Sequence, residues 1–462
     1  MRSSRFVLAF LEFRRVAVGL TVLPGLGLLG GCSSGGETKA LPPPTGHFEG
    51  RITYQGADLR TALDLREVKP GQLQADLRFP DLPGLGFPAE NLSFRSPQLH
   101  FERQPGAAAG NTAVDAIREG DFLRGLFTTD SVKADLLLVR RGQPDPRPYR
   151  AQPVRFRSGT LTLSGTLLIP DDTIRRHAAV VLLPDTDAPR QRDLSATADL
   201  LARQGFAALV YDRRDAGKPG TAGVQELADD ALAAVRAVKA NAAVDSLRVG
   251  FWSVGQGSHA AALAAGPPGR KVAFVVALAA PGSSPAAMSQ LQTAAALRRH
   301  EGRPADIRQA KAALDKLERY VRSGGQDDST QLHEALQAAW QQPWATVTTL
   351  PRRVPTATEI QTRQPWRDWL LDPRAAWQPV RVPVLLLYGA ADPRLDARAS
   401  SQRLRAVVGY RRGSAVHVYA NADHALMLPS GVRPDTDGKW DWSRPAPHSV
   451  EDMLTWLKQV AK

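Results

Sequence analysis

From Gly46 to about residue 150, apolar and polar residues alternate in short runs: HFEGRITYQGADLRTALDL, GQLQADLRFP, NLSFRS, QLHFER and DFLRGLFTTDSVKADLLLVRR. A period of two, broken by Gly, Pro and Asn, predicts antiparallel strands with one buried face. From Val154 the rhythm changes. RFRSGTLTLSGTLLIP predicts a leading hairpin, and HAAVVLLP, FAALVYDRR, LRVGFW, KVAFVVALAA, VPVLLLYGAADP and SAVHVYANADH are near-continuous apolar runs. Helical patterns lie between them. LSATADLLARQG stops at Gly205, GVQELADDALAAVRAVKAN puts Leu227, Ala231, Val235 and Val238 on one face, and SVEDMLTWLKQV closes the chain. Buried strands alternating with helices predict an α/β fold with a mostly parallel sheet covered on both faces, preceded by a small antiparallel β domain.

Between Ser284 and about Pro379 the strand rhythm stops. PADIRQAKAALDKLERYV places Ile307, Ala310, Leu314, Leu317 and Val321 on one helical face, which predicts a helical cap inserted over the sheet. The expected organisation is a β-rich unit over 46–150 and an α/β unit over 151–462, with the cap at about 284–379. Trp340, Trp344, Trp366, Trp369 and Trp377 fall in the cap or at its exit. They either line a pocket or pack cap against core.

The first 31 residues are basic, then apolar from Val16 to Leu29, then small. The apolar run is too short to span a membrane comfortably and reads as a signal peptide. It ends in LGGC, which resembles a bacterial lipoprotein signal. That resemblance implies a lipidated Cys32 as first mature residue, a tether over 32–45, and export to the periplasmic or cell-surface side of a bacterial membrane. The alternative is an ordinary signal peptide with an incidental cysteine. GLGLLG at Gly25–Gly30 matches a dinucleotide fingerprint, but no amphipathic helix follows it.

With one cysteine, no intramolecular disulfide can form. The nine histidines are scattered, without metal-ligand spacing, so no metal and no cofactor is expected. The formal charge of +13 comes from arginines spread along the chain, not from a basic run interleaved with aromatics. It describes a basic surface and predicts no nucleic-acid partner. No feature sets an oligomeric state.

VGFWSVGQGSHAAALAA, from Val249, has the strand–turn–helix form of a nucleophile elbow. With YDRRDAGKPG, VPVLLLYGAADPRLD and NADHALMLP, it makes the chain resemble the α/β-hydrolase superfamily. More narrowly, it is similar to secreted bacterial esterase- or acyl-hydrolase-like lipoproteins with an N-terminal β domain and a helical cap. The resemblance implies a nucleophile, an acid and a histidine in that chain order, and a small acyl- or ester-like ligand. It places Asp392 as the acid, with Asp396 second, and His424 as the base. Asp392 and His424 are expected to be hydrogen-bonded at the carboxyl edge of the sheet.

The nucleophile departs from the family pattern I-D-x-x-x-I-G-L-x-G-H-S-x-G-G. VDSLRVGFWSVGQGS sets Asp245 on the early Asp and puts Gly255 in the serine's place. A frame with Ser253 as nucleophile places the bulky Phe251 where a small residue belongs, and Ser258 falls one turn further on. The oxyanion loop departs too. LLPDTDAPRQRD has Pro184, which lacks an N–H, and Asp185, whose carboxylate would repel a developing oxyanion. Gln256, after the tip, belongs to the same side of the site. The bland reading of Asp185 and Asp187 is loop-end capping.

Three functional readings follow. The first is a hydrolase-fold lipoprotein that has lost catalysis because Gly255 replaces the serine, retained as a membrane-tethered binding protein. The second is an active serine esterase using Ser253 or Ser258 with Asp392 and His424. The third is water activation by the His424–Asp392 pair. A serine restored at position 255 is expected to find that pair waiting.

Overall fold

The computed structural model describes residues 41–462 except 83, 104–111, 130–131, 187–189, 219, 267–271, 364–365, 434–436 and 462. Cys32, the leader and most of the tether lie outside the described residues, as does Asp187.

The alternating segment folds as one antiparallel sheet of nine strands: β1 (Gly46–Tyr54), β2 (Ala57–Lys69), β3 (Gln72–Arg78), β4 (Phe87–Pro88), β5 (Glu90–Arg95), β6 (Gln98–Arg103), β7 (Thr112–Glu119), β8 (Phe122–Thr129) and β9 (Val132–Gly142). Their order is β4-β3-β2-β1-β9-β8-β7-β6-β5. Inward-facing residues of these strands, among them Phe48, Ile52, Leu63, Leu77, Phe101, Leu123 and Leu136, form its core. Trp442, from the far end of the chain, enters that core and donates its indole N–H to the Ala57 carbonyl at 3.2 Å. The two parts of the chain therefore share a packed surface. On this sheet His47, Asp64 and Asp145 bring ligand-type atoms within 4.8 Å of one another. Arg78 and Arg66 already pair with Asp64, which makes the group a salt-bridge network.

The second sheet has eight strands: β10 (Tyr149–Ser158), β11 (Leu161–Pro170), β12 (His177–Leu183), β13 (Ala207–Tyr211), β14 (Val244–Val254), β15 (Val275–Leu278), β16 (Val384–Gly389) and β17 (Ala415–Tyr419). The order is β10-β11-β13-β12-β14-β15-β16-β17. β11 runs antiparallel to both neighbours, and β12 to β17 are mutually parallel. The helices that link the strands are α1 (Ser195–Arg203), α2 (Val224–Lys239) and α3 (Gln256–Ala265).

The cap follows β15, as α4 (Pro285–Arg299), α5 (Pro304–Arg322), α6 (Thr330–Trp340), α7 (Ala357–Thr362) and α8 (Pro373–Trp377); α9 (Ala397–Val408) and α10 (Ser449–Val460) complete the set. Both faces of the sheet are apolar because both are covered. Val181, Phe251 and Val384 pack toward α2, α3 and α9, while Val180, Trp252 and Leu385 pack toward α1 and α10. The cap has a core of its own, built on Leu297, Leu314, Leu317, Leu332 and Leu336.

The cap tryptophans divide between the two expected roles. Trp377 is fully buried in the main core. Trp340 donates to the Pro351 carbonyl at 2.9 Å, and Trp344 packs on the cap core. Trp366 and Trp369 pack ring to ring at 5.5 Å, and Trp369 also faces the cavity described below.

Candidate active site

β14 ends at Val254 and α3 begins at Gln256, so one residue makes the whole strand-to-helix turn. Gly255 does so with φ 53° and ψ −123°, a conformation that side-chain-bearing residues adopt only under strain. This is the elbow, with Gly255 at its tip. Gly257 lets α3 start close to the loop after β12, since a Cβ there would stand 2.7 Å from the Leu183 carbonyl oxygen.

Asp185 leaves β12 two residues past its end and turns toward the tip. Its Oδ1 accepts the Gln256 N–H at 2.9 Å and the Thr186 N–H at 2.8 Å. Its Oδ2 lies 3.4 Å from His424 Nε2 and 3.6 Å from Arg394 Nη1. A Cβ on residue 255 would stand 2.6 Å from Oδ1 and still closer to Cγ and Oδ2. The carboxylate thus fills the volume that a side chain at the elbow would need. The Gln256 and Thr186 N–H groups are both held by this internal anion.

His424 and Asp392 are brought together from the loops after β17 and β16. His424 Nδ1 lies 2.7 Å from Asp392 Oδ2, while Asp392 Oδ1 accepts the N–H groups of Arg394 (2.7 Å) and Leu395 (3.3 Å). Asp396 does something else: it caps α9 by accepting the Ala399 N–H at 2.8 Å. His424 therefore stands between two carboxylates. Its contact with Asp392 is a hydrogen bond, and its contact with Asp185 is an ion pair without hydrogen-bond alignment.

Burial alone would lower the His424 pKa, but the two anions outweigh it and raise the value to about 9. Burial would likewise raise the Asp185 pKa. His424 and the Gln256 and Thr186 N–H groups outweigh it and hold Asp185 below its ordinary value. The pairing favours an imidazolium between two carboxylates. A general base at His424 requires a neutral ring, and the two neighbouring carboxylates favour the protonated one.

The serine readings are corrected by where the hydroxyls point. Ser253 is fully buried within β14, with Oγ 3.1 Å from the Val276 carbonyl and 3.2 Å from Ser258 Oγ. Ser258, also fully buried, sits 3.4 Å from the Leu278 carbonyl. Both hydroxyls are spent inside the sheet–helix packing. The His424–Asp392 pair that a serine at position 255 was expected to meet is assembled, and the Asp185 carboxylate lies in the volume that such a side chain would need.

Gln256 is pinned on its other side. Its Oε1 accepts from Thr186 Oγ1 at 2.6 Å and from both terminal nitrogens of Arg213 at 3.3 Å. Arg213 is buried and paired to Asp215 at 2.9 and 3.1 Å. The Gln256 amide is therefore held against Asp185 by a chain of buried polar contacts. Arg213, Asp215 and Arg394 were not foreseen from the sequence. The available signal was size complementarity: a carboxylate gained at 185 and a side chain lost at 255.

A cavity of about 590 Å³ opens onto Asp185, Gly255 and His424, roofed by cap residues that include Met288, Thr349 and Trp369. His259 reaches it from α3. Burial holds that ring far below its ordinary pKa, at about 4, so it is neutral. Among the described residues, His259 Nε2 and Trp369 Nε1 are buried without a hydrogen-bond partner. The volume suits a small ligand, with an apolar lining and a few polar groups to orient it.

An eight-stranded sheet with a reversed second strand, an exchange of the third and fourth strands, a strand–Gly–helix elbow and a late Asp–His pair define the α/β-hydrolase fold. No family model matches the chain, and no curated protein does. Among solved structures it is similar to an esterase of Pyrococcus furiosus, at 14% identity over 68% of this chain and 92% of that one, with a TM-score of 0.41. An α/β hydrolase of a Penicillium species is similar at 17% identity over 68% and 99%, with a TM-score of 0.41. A dienelactone hydrolase of Anabaena variabilis is similar at 13% over 68% and 97%, with a TM-score of 0.37.

Proposed function

We propose that this protein, an α/β-hydrolase-fold relative of carboxylic-ester hydrolases, binds a small acyl- or ester-like molecule beneath its cap and forms no serine acyl-enzyme. The observation that carries the reading is the Asp185 carboxylate lying where a side chain on residue 255 would have to be. Three further features support it. Ser253 and Ser258 spend their hydroxyls inside the fold. The two backbone N–H groups of the oxyanion hole are engaged by Asp185. Losing one such donor costs about 10²–10³ in turnover, and here both are taken. The two carboxylates raise the His424 pKa and so favour the protonated ring over the neutral one that would draw a proton from a hydroxyl.

The test is to treat the wild-type protein with a fluorophosphonate and with p-nitrophenyl acyl esters. The expected result is no label, and ester hydrolysis unchanged by Ser253→Ala or Ser258→Ala. Labelling that either substitution abolishes would overturn the reading. We also propose that the chain is exported and held at a membrane through Cys32; support comes from the apolar run that ends in LGGC.

A further inference from the structure

The nine-stranded sheet does not lie flat. Arg103, at the end of β6, stands over the ring of Phe87 in β4, 5.4 Å from its centre. The strand order puts β4 and β6 near opposite edges of the sheet. The sheet therefore curls until its two ends approach each other. A curled sheet of about eight strands has an interior that side chains fill or that holds one small ligand. Here space is left: a cavity of about 270 Å³, walled by Leu59, Phe79, Phe87 and Phe127 of the sheet side and by Met427 and Trp442 of the chain after β17. We propose that this cavity is a second ligand site, separate from the one beneath the cap, and that it takes a single-chain amphiphile with a terminal carboxylate.

The walls call for an alkyl chain. Phe127 packs edge-on against Phe79 on one side and Trp442 on the other, with ring centres 6.3 Å apart in both pairs. The Trp442 indole N–H is already given to the Ala57 carbonyl, so the indole presents only its apolar body. Size sets the length. A cavity of about 270 Å³ lies just under the range of ordinary small-molecule pockets, about 300–1,000 Å³. That volume admits one short chain and excludes a two-chain lipid.

Arg103 supplies the charge. It is the only cation among the described residues of the lining. Among the described residues it makes no hydrogen bond and no salt bridge; its contacts are the Phe87 ring and the field of Glu90. Burial works against its charge and Glu90 offsets only part of that, which leaves its pKa below the ordinary arginine value. The guanidinium stays protonated all the same, and its five donors suit the two oxygens of a carboxylate. Asp423 is the one carboxylate of the lining. Its Oδ1 accepts the Ala425 and Met427 N–H groups at 2.9 and 2.8 Å, which ties it to its own turn. The position of that turn links the two sites. Asp423 and Ala425, the chain neighbours of His424, line this cavity, while His424 lines the one beneath the cap. An occupant here touches the turn that carries the histidine.

The test titrates octanoate, 1-octanol and octylammonium into the full-length protein by calorimetry, and locates the site with an octanoate that carries a photoreactive diazirine. Octanoate is expected to bind the wild type, and the other two about 10- to 100-fold more weakly, the range that hydrogen bonds to a charged group supply. Arg103→Gln is expected to leave octanoate no tighter than octanol. The photolabel is expected on residues of the curled sheet between Leu59 and Val132, or on the chain between Asp423 and Ser443. Absence of octanoate binding, or octylammonium binding as tightly as octanoate, would overturn the proposal. So would a preference for octanoate that survives Arg103→Gln, or a label confined to the cap residues over the other cavity. If Arg103→Gln does not fold, the wild-type ranking and the position of the label decide. None of these outcomes bears on the absence of serine chemistry at Gly255, which the fluorophosphonate test decides separately.

Discussion

The carboxylate of Asp185 and the missing side chain of Gly255 occupy one volume: a Cβ on residue 255 would lie 2.6 Å from Asp185 Oδ1 and closer still to the rest of the carboxylate. The two positions are 70 residues apart, yet each limits what the other can be. Asp185 needs a glycine at the tip, and a side chain at the tip needs a small residue at 185.

That coupling is measurable as stability. Gly255→Ser puts a side chain at φ 53° and into the carboxylate, an expected cost of about 1–3 kcal/mol from strain and overpacking. In an Asp185→Gly background the overlap is gone and the same change should cost less. A double-mutant cycle by urea unfolding is expected to give a favourable coupling of about 0.5–3 kcal/mol. Additive effects would mean that the two sites do not contend for one space.

The ion pair predicts a pH profile. His424 is raised from 6.5 to about 9, so the folded state holds its proton more tightly than the unfolded chain does. Its contribution to stability is fully present below about pH 6.5 and is lost as pH rises through about 9. Asp185 is lowered from 3.8, so its contribution is present above that value and is lost as pH falls below it. Melting temperatures across pH 6–10 should fall toward the alkaline end in wild type and fall less in Asp185→Asn. The His424 ring resonance should titrate near 9 in wild type and clearly lower in Asp185→Asn. A wild-type midpoint at the ordinary histidine value would refute the two-carboxylate environment.

Attachment through Cys32 predicts partitioning into the detergent phase for the wild type expressed in a bacterium, and into the aqueous phase for Cys32→Ala. Stable anchoring implies more than one acyl chain, since a single chain binds membranes only marginally. Identical partitioning of the two proteins would rule the anchor out.

Much of the fold was legible because its signals are local. Period-two alternation marks β6 to β8, and continuous apolar runs mark β12, β13 and β16, which have both faces covered. Asp392 and His424 were legible for the same reason, each lying just beyond an apolar strand. The tip at Gly255 was legible from its spacing to Asp245. The role of Asp185 was not legible, because it depends on where a side chain from the loop after β12 points relative to a turn after β14. The resemblance implied a carboxylate beside an oxyanion hole and hence a damaged hole. The fold shows the same carboxylate as the group that faces His424. The Arg213–Asp215 pair behind Gln256 was hidden likewise, since DRRD reads equally well as a solvated loop.

The central claim is that the Asp185 carboxylate fills the space that a side chain at the elbow tip would need, and fluorophosphonate labelling of four proteins tests it directly: wild type, Gly255→Ser, Asp185→Gly, and the double variant. With Asp185 removed, the Thr186 and Gln256 N–H groups are freed, and the hydroxyl that Gly255→Ser introduces would face a His424 held by Asp392 alone. The expected result is labelling of the double variant at residue 255, with little or none in the other three. Gly255→Ser labelling as strongly as the double variant would contradict the account, because the introduced hydroxyl would then have had room and a working histidine with Asp185 still in place.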